Sequence, residues 1–154
     1  MSVNKVLIYG YGNPGRQDDA LGIVMADRIR AWIEEHVHNS LEVDQNYQLN
    51  IEDADKIRDY DLVVFVDASV KDIQDFELEE VTPTLTTEFS MHSVSPAFVL
   101  GLCNEISDTC PKVFQLHIKG YEFEFMKEMS NRAKTNLDGA EKYLKSFIRK
   151  NMNS

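Results

Sequence analysis

Val6-Leu-Ile-Tyr-Gly10-Tyr-Gly-Asn-Pro-Gly15-Arg-Gln-Asp-Asp19-Ala-Leu-Gly22 is the stretch that decides the fold. Its first residues complete a run rich in β-branched and aromatic side chains, Val3–Gly10, which reads as a strand. The cluster of turn residues from Gly10 to Gly15 ends that strand. From Asp18 the apolar residues Leu21, Val24, Met25, Ile29, Trp32 and Ile33 repeat at helical spacing, which predicts a helix to about His36. Acids at its front suit the positive end of the helix dipole. Strand, glycine-rich turn and helix in that order open an alternating α/β chain.

The alternation continues. Leu41–Leu49 reads as a second strand interrupted by Asp44 and Gln45, and Ile51–Arg58 as a short helix at best. Asp61-Leu-Val-Val-Phe-Val66-Asp67 is the clearest strand, a continuous apolar run of the kind buried on both faces of a parallel sheet. Helices must then cover both faces. Phe76–Thr82 is a weaker strand, and Ser95, as N-cap, with Pro96 opens a helix through Ala97, Leu100 and Cys103. Lys112–Lys119 is the last strong strand. After Met129, Leu137, Ala140, Leu144, Phe147 and Ile148 mark an amphipathic helix. These elements predict one α/β domain over residues 1–154, a three-layer αβα sandwich about a twisted, mostly parallel sheet of about five strands.

Charge narrows the function. With 16 basic and 26 acidic side chains the net charge is −10, opposed to the phosphate neutralisation on which nucleic-acid affinity depends, so nucleic acid and anionic membranes are set aside. No apolar run approaches the roughly 20 residues of a membrane span. Met1–Lys5 leads into the first strand without a signal-peptide core, which predicts a cytoplasmic protein. Cys103 and Cys110, seven apart with no C-x-x-C, make neither a disulfide framework nor a zinc site. They read as a core residue and a loop residue of a reduced chain.

In open α/β sheets ligands gather beyond the carboxyl ends of the strands. The residues delivered there are Gly10–Gly15 with Asp18 and Asp19, then Asp44, Asp67, His117 and Lys119. His92, just before a helix, can swing over the same edge. Two carboxylates and an imidazole suit a divalent ion such as nickel or zinc, and three protein ligands leave positions open for hydrolysis. Singly, each residue also has a structural role to offer: Asp18 or Asp19 as a helix cap, Asp67 as a strand stop, His92 as a loop histidine. Gly10, Gly12 and Gly15 also spell G-x-G-x-x-G, a dinucleotide pattern. Against that reading, Asp18 and Asp19 would repel a pyrophosphate at the helix start, and Pro14 removes a donor from the loop. His36 and His38 suit a helix end, His117 a sheet face, and Glu77, Glu79 and Glu80 a solvated strand edge.

Three segments taken together resemble the nickel–iron hydrogenase maturation endopeptidases: Gly10-Tyr-Gly-Asn-Pro-Gly-Arg-Gln-Asp-Asp19-Ala-Leu-Gly22, Val64-Phe-Val-Asp67-Ala, and Met91-His92-Ser. The opening G-x-G-N…D-D-x-x-G stretch is the most specific of them. The resemblance implies a single α/β domain that removes a C-terminal extension from a hydrogenase large-subunit precursor after nickel insertion. It implies catalytic and metal-contacting roles for Asp19, Asp67 and His92, with Asp19 standing where many members have Glu. It also implies that the nickel arrives bound to the precursor, as an identity tag and a Lewis acid, and that no organic cofactor is needed. Asp44 lies near a family acid, but Asp44-Gln-Asn-Tyr-Gln48 lacks the glycines seen there, and Gly120–Glu124 is a loose match to a glycine-containing segment. Two alternatives stay open: a non-catalytic nickel-binding maturation chaperone, and a dinucleotide-binding enzyme using Gly10, Gly12 and Gly15.

Overall fold

The structure, a computed structural model, describes residues 4–36, 40–86 and 94–152. Among these, five strands, β1 (Val6–Tyr11), β2 (Leu41–Asn46), β3 (Leu62–Ser69), β4 (Phe76–Glu80) and β5 (Lys112–Lys119), form one sheet. Four helices accompany them: α1 (Leu21–His36), α2 (Asp53–Ile57), α3 (Pro96–Ile106) and α4 (Asn131–Asn151). The strand order is β2-β1-β3-β5-β4. Every pairing is parallel except that of β4, which runs antiparallel along β5 at one edge. The expected three-layer, mostly parallel architecture is therefore the observed one.

The alternation of side chains sorts the core into two halves. Val6, Ile8, Leu62, Val64, Val66, Leu116 and Ile118 pack with α1 and α4, while Leu7, Tyr9, Val63, Phe65 and Val113 pack with α2 and α3. All residues from Leu62 to Val66 are buried, as a central parallel strand covered on both sides requires. The helix expected from Asp18 begins instead as a 3-10 turn, Gln17–Ala20, before α1 proper. Ser95 caps α3 as expected, its Oγ accepting from the Phe98 N–H at 3.1 Å behind Pro96.

Two glycines set how closely α1 lies on the sheet. A Cβ on Gly22 would stand 2.4 Å from the Val66 carbonyl oxygen and 2.5 Å from that of Tyr11, and one on Gly10 would stand 2.0 Å from the Gly22 carbonyl oxygen. These are backbone atoms, which cannot rotate away. Gly22→Ala is expected to cost about 3 kcal/mol, because α1 must lift off β1 and β3. Urea unfolding measures it, and a loss below about 1 kcal/mol would mean the helix shifts without penalty.

Candidate active site

The carboxyl ends of β1, β2, β3 and β5 share one edge of the sheet, and the first loop lies across it. Asp18 and Asp19, adjacent in sequence, point into different worlds. Asp18 is fully buried and holds the loop after β5: its carboxylate accepts from the N–H groups of Tyr121 (2.8 Å), Glu122 (3.0 Å) and Ser130 (2.7 Å) and from the Ser130 hydroxyl (2.7 Å). Burial opposes its ionisation, but the donors of Ser130, Tyr121 and Glu122 together outweigh that cost and hold the carboxyl below the usual range. Ser130 Oγ also caps α4 by accepting from Ala133. Asp18 is thus the structural member of the pair, fastening the first loop to the start of the last helix.

The same clamp is drawn tight on both sides. Gln17 adopts a left-handed backbone (φ 49°), and its Oε1 accepts from the Glu124 N–H at 3.0 Å. Arg16 Nε donates to the Phe123 carbonyl at 3.1 Å, and the Met126 N–H donates to that of Gly15 at 3.0 Å. A non-glycine residue in that backbone region is held there by its surroundings, a form of strain that gathers at functional loops. The segment Gly120–Glu124, in sequence a loose match to a glycine-containing segment, is one jaw of this clamp.

Asp19 faces the other way, half-buried, its Oδ2 accepting from the Asn13 N–H at 2.9 Å. Gly12 (φ 142°) lets the loop pass so close that a Cβ there would stand 2.2 Å from the Asp19 carbonyl oxygen. Asp67, at the end of β3, has its carboxyl pushed up to about 7, first by burial and then by the charge of Asp19; hydrogen bonds from the Ala68 N–H and the Tyr11 hydroxyl offset part of this. Tyr11 is raised well above its ordinary value by its own burial and by the Asp67 charge. Gln115 Nε2 donates to the Tyr11 oxygen at 3.1 Å, which leaves the Tyr11 proton for Asp67. Gln115, Tyr11 and Asp67 are thus electrostatically linked beside a second carboxylate.

The remaining candidates divide. Asp67 and His117 are register partners on β3 and β5, so His117 lies on the same sheet face; it is buried, with Nε2 2.7 Å from Glu79. Glu79 is exposed as a strand-edge acid, yet it has a specific partner that its pattern did not disclose. Asp44 pairs with Lys56 at 2.6 Å, linking β2 to α2. His36 Nδ1 lies 2.9 Å from the Trp32 carbonyl in the last turn of α1, while His38 and His92 lie outside the described residues. Among the described residues no group of three or more His, Cys, Asp or Glu side chains is disposed to hold a metal ion. Tyr11 and Gln115 were missed in the sequence; the only signal was their even spacing from Tyr9 and His117 along strands whose carboxyl ends carry the site.

The glycine pattern is accounted for without a nucleotide. The N–H groups of Gly12, Asn13, Gly15, Arg16, Asp18 and Asp19 all donate within the chain, to Asn46, Asp19, Asn13 (twice), Glu122 and Arg16 respectively. Pro14 has none to give. A pyrophosphate would find the amides of this loop already engaged.

No protein-family model and no curated protein sequence matches the chain. Solved structures do. The NiFe hydrogenase maturation protease HycI from Thermococcus kodakarensis superposes with a TM-score of 0.75 at 21% identity, over 96% of this chain and 94% of that one. The hydrogenase maturating endopeptidase HybD from E. coli gives a TM-score of 0.78 at 17% identity, over 95% and 93%. The hydrogenase 2 maturation peptidase of a Thaumarchaeota archaeon gives 0.68 at 16%, over 94% and 97%. At such identities the likeness is one of architecture, and over nearly its whole length this chain has the fold of the solved hydrogenase maturation proteases.

Proposed function

We propose that this protein is an endopeptidase that removes the C-terminal extension of a nickel–iron hydrogenase large-subunit precursor once nickel is in place. One observation carries the reading: Asp19 and Asp67 stand close enough at the carboxyl edge for the charge of one to suppress ionisation of the other, in a fold shared with maturation proteases. A buried carboxylate and a second one close to it repel each other, and a cation between them removes the repulsion. In this proposal the cation is nickel carried by the precursor, addressed by Asp19, Asp67 and His92. In the same proposal Tyr11, which accepts from Gln115, holds the Asp67 carboxylate by one oxygen and leaves the other to the incoming metal. Docking then sets the scissile bond at this edge, and a precursor without nickel lacks the charge that completes the site.

The test uses the purified chain with nickel-loaded and nickel-free precursor, read by intact mass. The loaded precursor is expected to lose its extension and the nickel-free one to keep it. Equal cleavage of both would overturn the recognition role of the acid pair. Stable binding of the loaded precursor without shortening would favour the non-catalytic chaperone instead.

A further inference from the structure

Cys103 and Cys110 carry an inference that does not rest on the peptidase reading. Cys103 is buried on the inner side of α3, in the half of the core shared with α2. Cys110 sits half-buried in the connection to β5. That connection is folded back tightly: the Ser107 N–H donates to the Cys103 carbonyl at 2.9 Å, and Ser107 Oγ accepts from the Thr109 N–H at 3.2 Å and donates to its carbonyl at 3.0 Å. The turn returns Cys110 onto the helix, with its Sγ 2.7 Å from that of Cys103 and 3.8 Å from the Ser107 carbonyl oxygen. Both are free thiols in this structure.

We propose that Cys103 and Cys110 form a disulfide-forming modification site, closed by oxidants of the small-molecule disulfide class. The half-buried Cys110 is the thiol an oxidant can reach. Its thiolate attacks one sulfur of the oxidant, expelling a thiolate and leaving a mixed disulfide on Cys110. Cys103 then attacks the Cys110 sulfur, and its proton passes to the second departing thiolate. Two protein thiols lose two electrons and two protons, and the oxidant's disulfide is reduced to two thiols. Burial and the neighbouring Cys110 push the Cys103 thiol up to about 12, so it stays inert to solvent reagents and reacts only with the sulfur held against it. The bridge ties the end of α3 to the start of β5 on the sheet face that carries Asp67.

The experiment treats the full chain with oxidised glutathione, then labels remaining thiols with N-ethylmaleimide in denaturant and reads intact mass. With two cysteines in the chain the pairing is unambiguous. The oxidised monomer is expected to be about 2 Da lighter than the reduced one and to take up neither glutathione nor maleimide, whereas the reduced chain takes up two maleimides. Cys103→Ser is expected to retain one glutathione on Cys110, the intermediate caught. A wild-type chain that keeps glutathione, that still takes up two maleimides, or that becomes a covalent dimer would overturn the proposal. The wild-type mass decides by itself, whether or not the serine variant folds.

Discussion

Asp67→Asn is expected to reduce precursor processing more than about 100-fold while making the protein harder to unfold at pH 8. The stability half follows from linkage. The Asp67 carboxyl titrates at about 7 in the folded chain against an ordinary 3.8, so it is protonated in both states in strong acid and carries no penalty there. Between those two values the unfolded chain has already lost its proton and the folded chain has not, and stability falls as pH rises. Above about 7 both are ionised and the full penalty remains, at most about 4 kcal/mol. Asparagine has no charge to desolvate; its oxygen still accepts from Tyr11 and its amide donates toward Asp19. Thermal melts at pH 4 and pH 8 check this: the variant should match the wild type at the lower pH and exceed it at the higher. A variant no more stable at pH 8, or one that still processes precursor, removes Asp67 from the role proposed here. Wild-type processing should correspondingly rise with pH, with a midpoint at or below about 7, because a bound cation favours the ionised carboxyl.

Asp18 gives the opposite result. Asp18→Ala is expected to lower stability by about 4 kcal/mol and the melting temperature by roughly 10 °C, since three N–H groups and one hydroxyl lose a buried, charged acceptor together. The loss should shrink in acid. The Asp18 carboxyl is held below its ordinary value, so its contribution is present above the unfolded value and fades as pH falls through the folded one. Urea unfolding of the two chains at neutral and acid pH measures the difference. A loss under about 1 kcal/mol at pH 7 would mean that the clamp between the first loop and α4 does not depend on this carboxylate.

That Asp18 fastens a loop while Asp19, the next residue, faces Asp67 marks the boundary of what the sequence discloses. Strand and helix order was readable because burial on both faces writes a continuous apolar run such as Leu62–Val66, and one-sided burial writes a helical stripe such as Leu137 to Ile148. Asp19 and Asp67 were readable as strand-end and loop acids. Nothing local separates Asp18 from Asp19, because the partners of Asp18 lie more than a hundred residues further on, at 121, 122 and 130. The 3-10 turn replaced the first helical turn for the same reason: residues 15–18 follow the loop they are pinned to rather than their own propensity. Tyr11 and Gln115 looked like ordinary strand residues, and only register between non-adjacent segments brings their side chains together. The cysteines look unrelated in sequence because a spacing of seven has no meaning until the helix ends between them and the chain reverses at Ser107.

The antiparallel course of β4 has a consequence for how copies of this molecule meet. An outermost strand offers unpaired backbone groups to any other chain, and such a border is where sheets fuse into larger aggregates. Here that border is Phe76-Glu-Leu-Glu-Glu80, with Phe76 and Leu78 turned toward the core and Glu77, Glu79 and Glu80 exposed. A second molecule adding itself along this border would bring glutamates against glutamates, Glu77 and Glu80 foremost since Glu79 is held by His117, and like charge opposes the pairing. The strand that finishes the sheet thereby also guards this border of it.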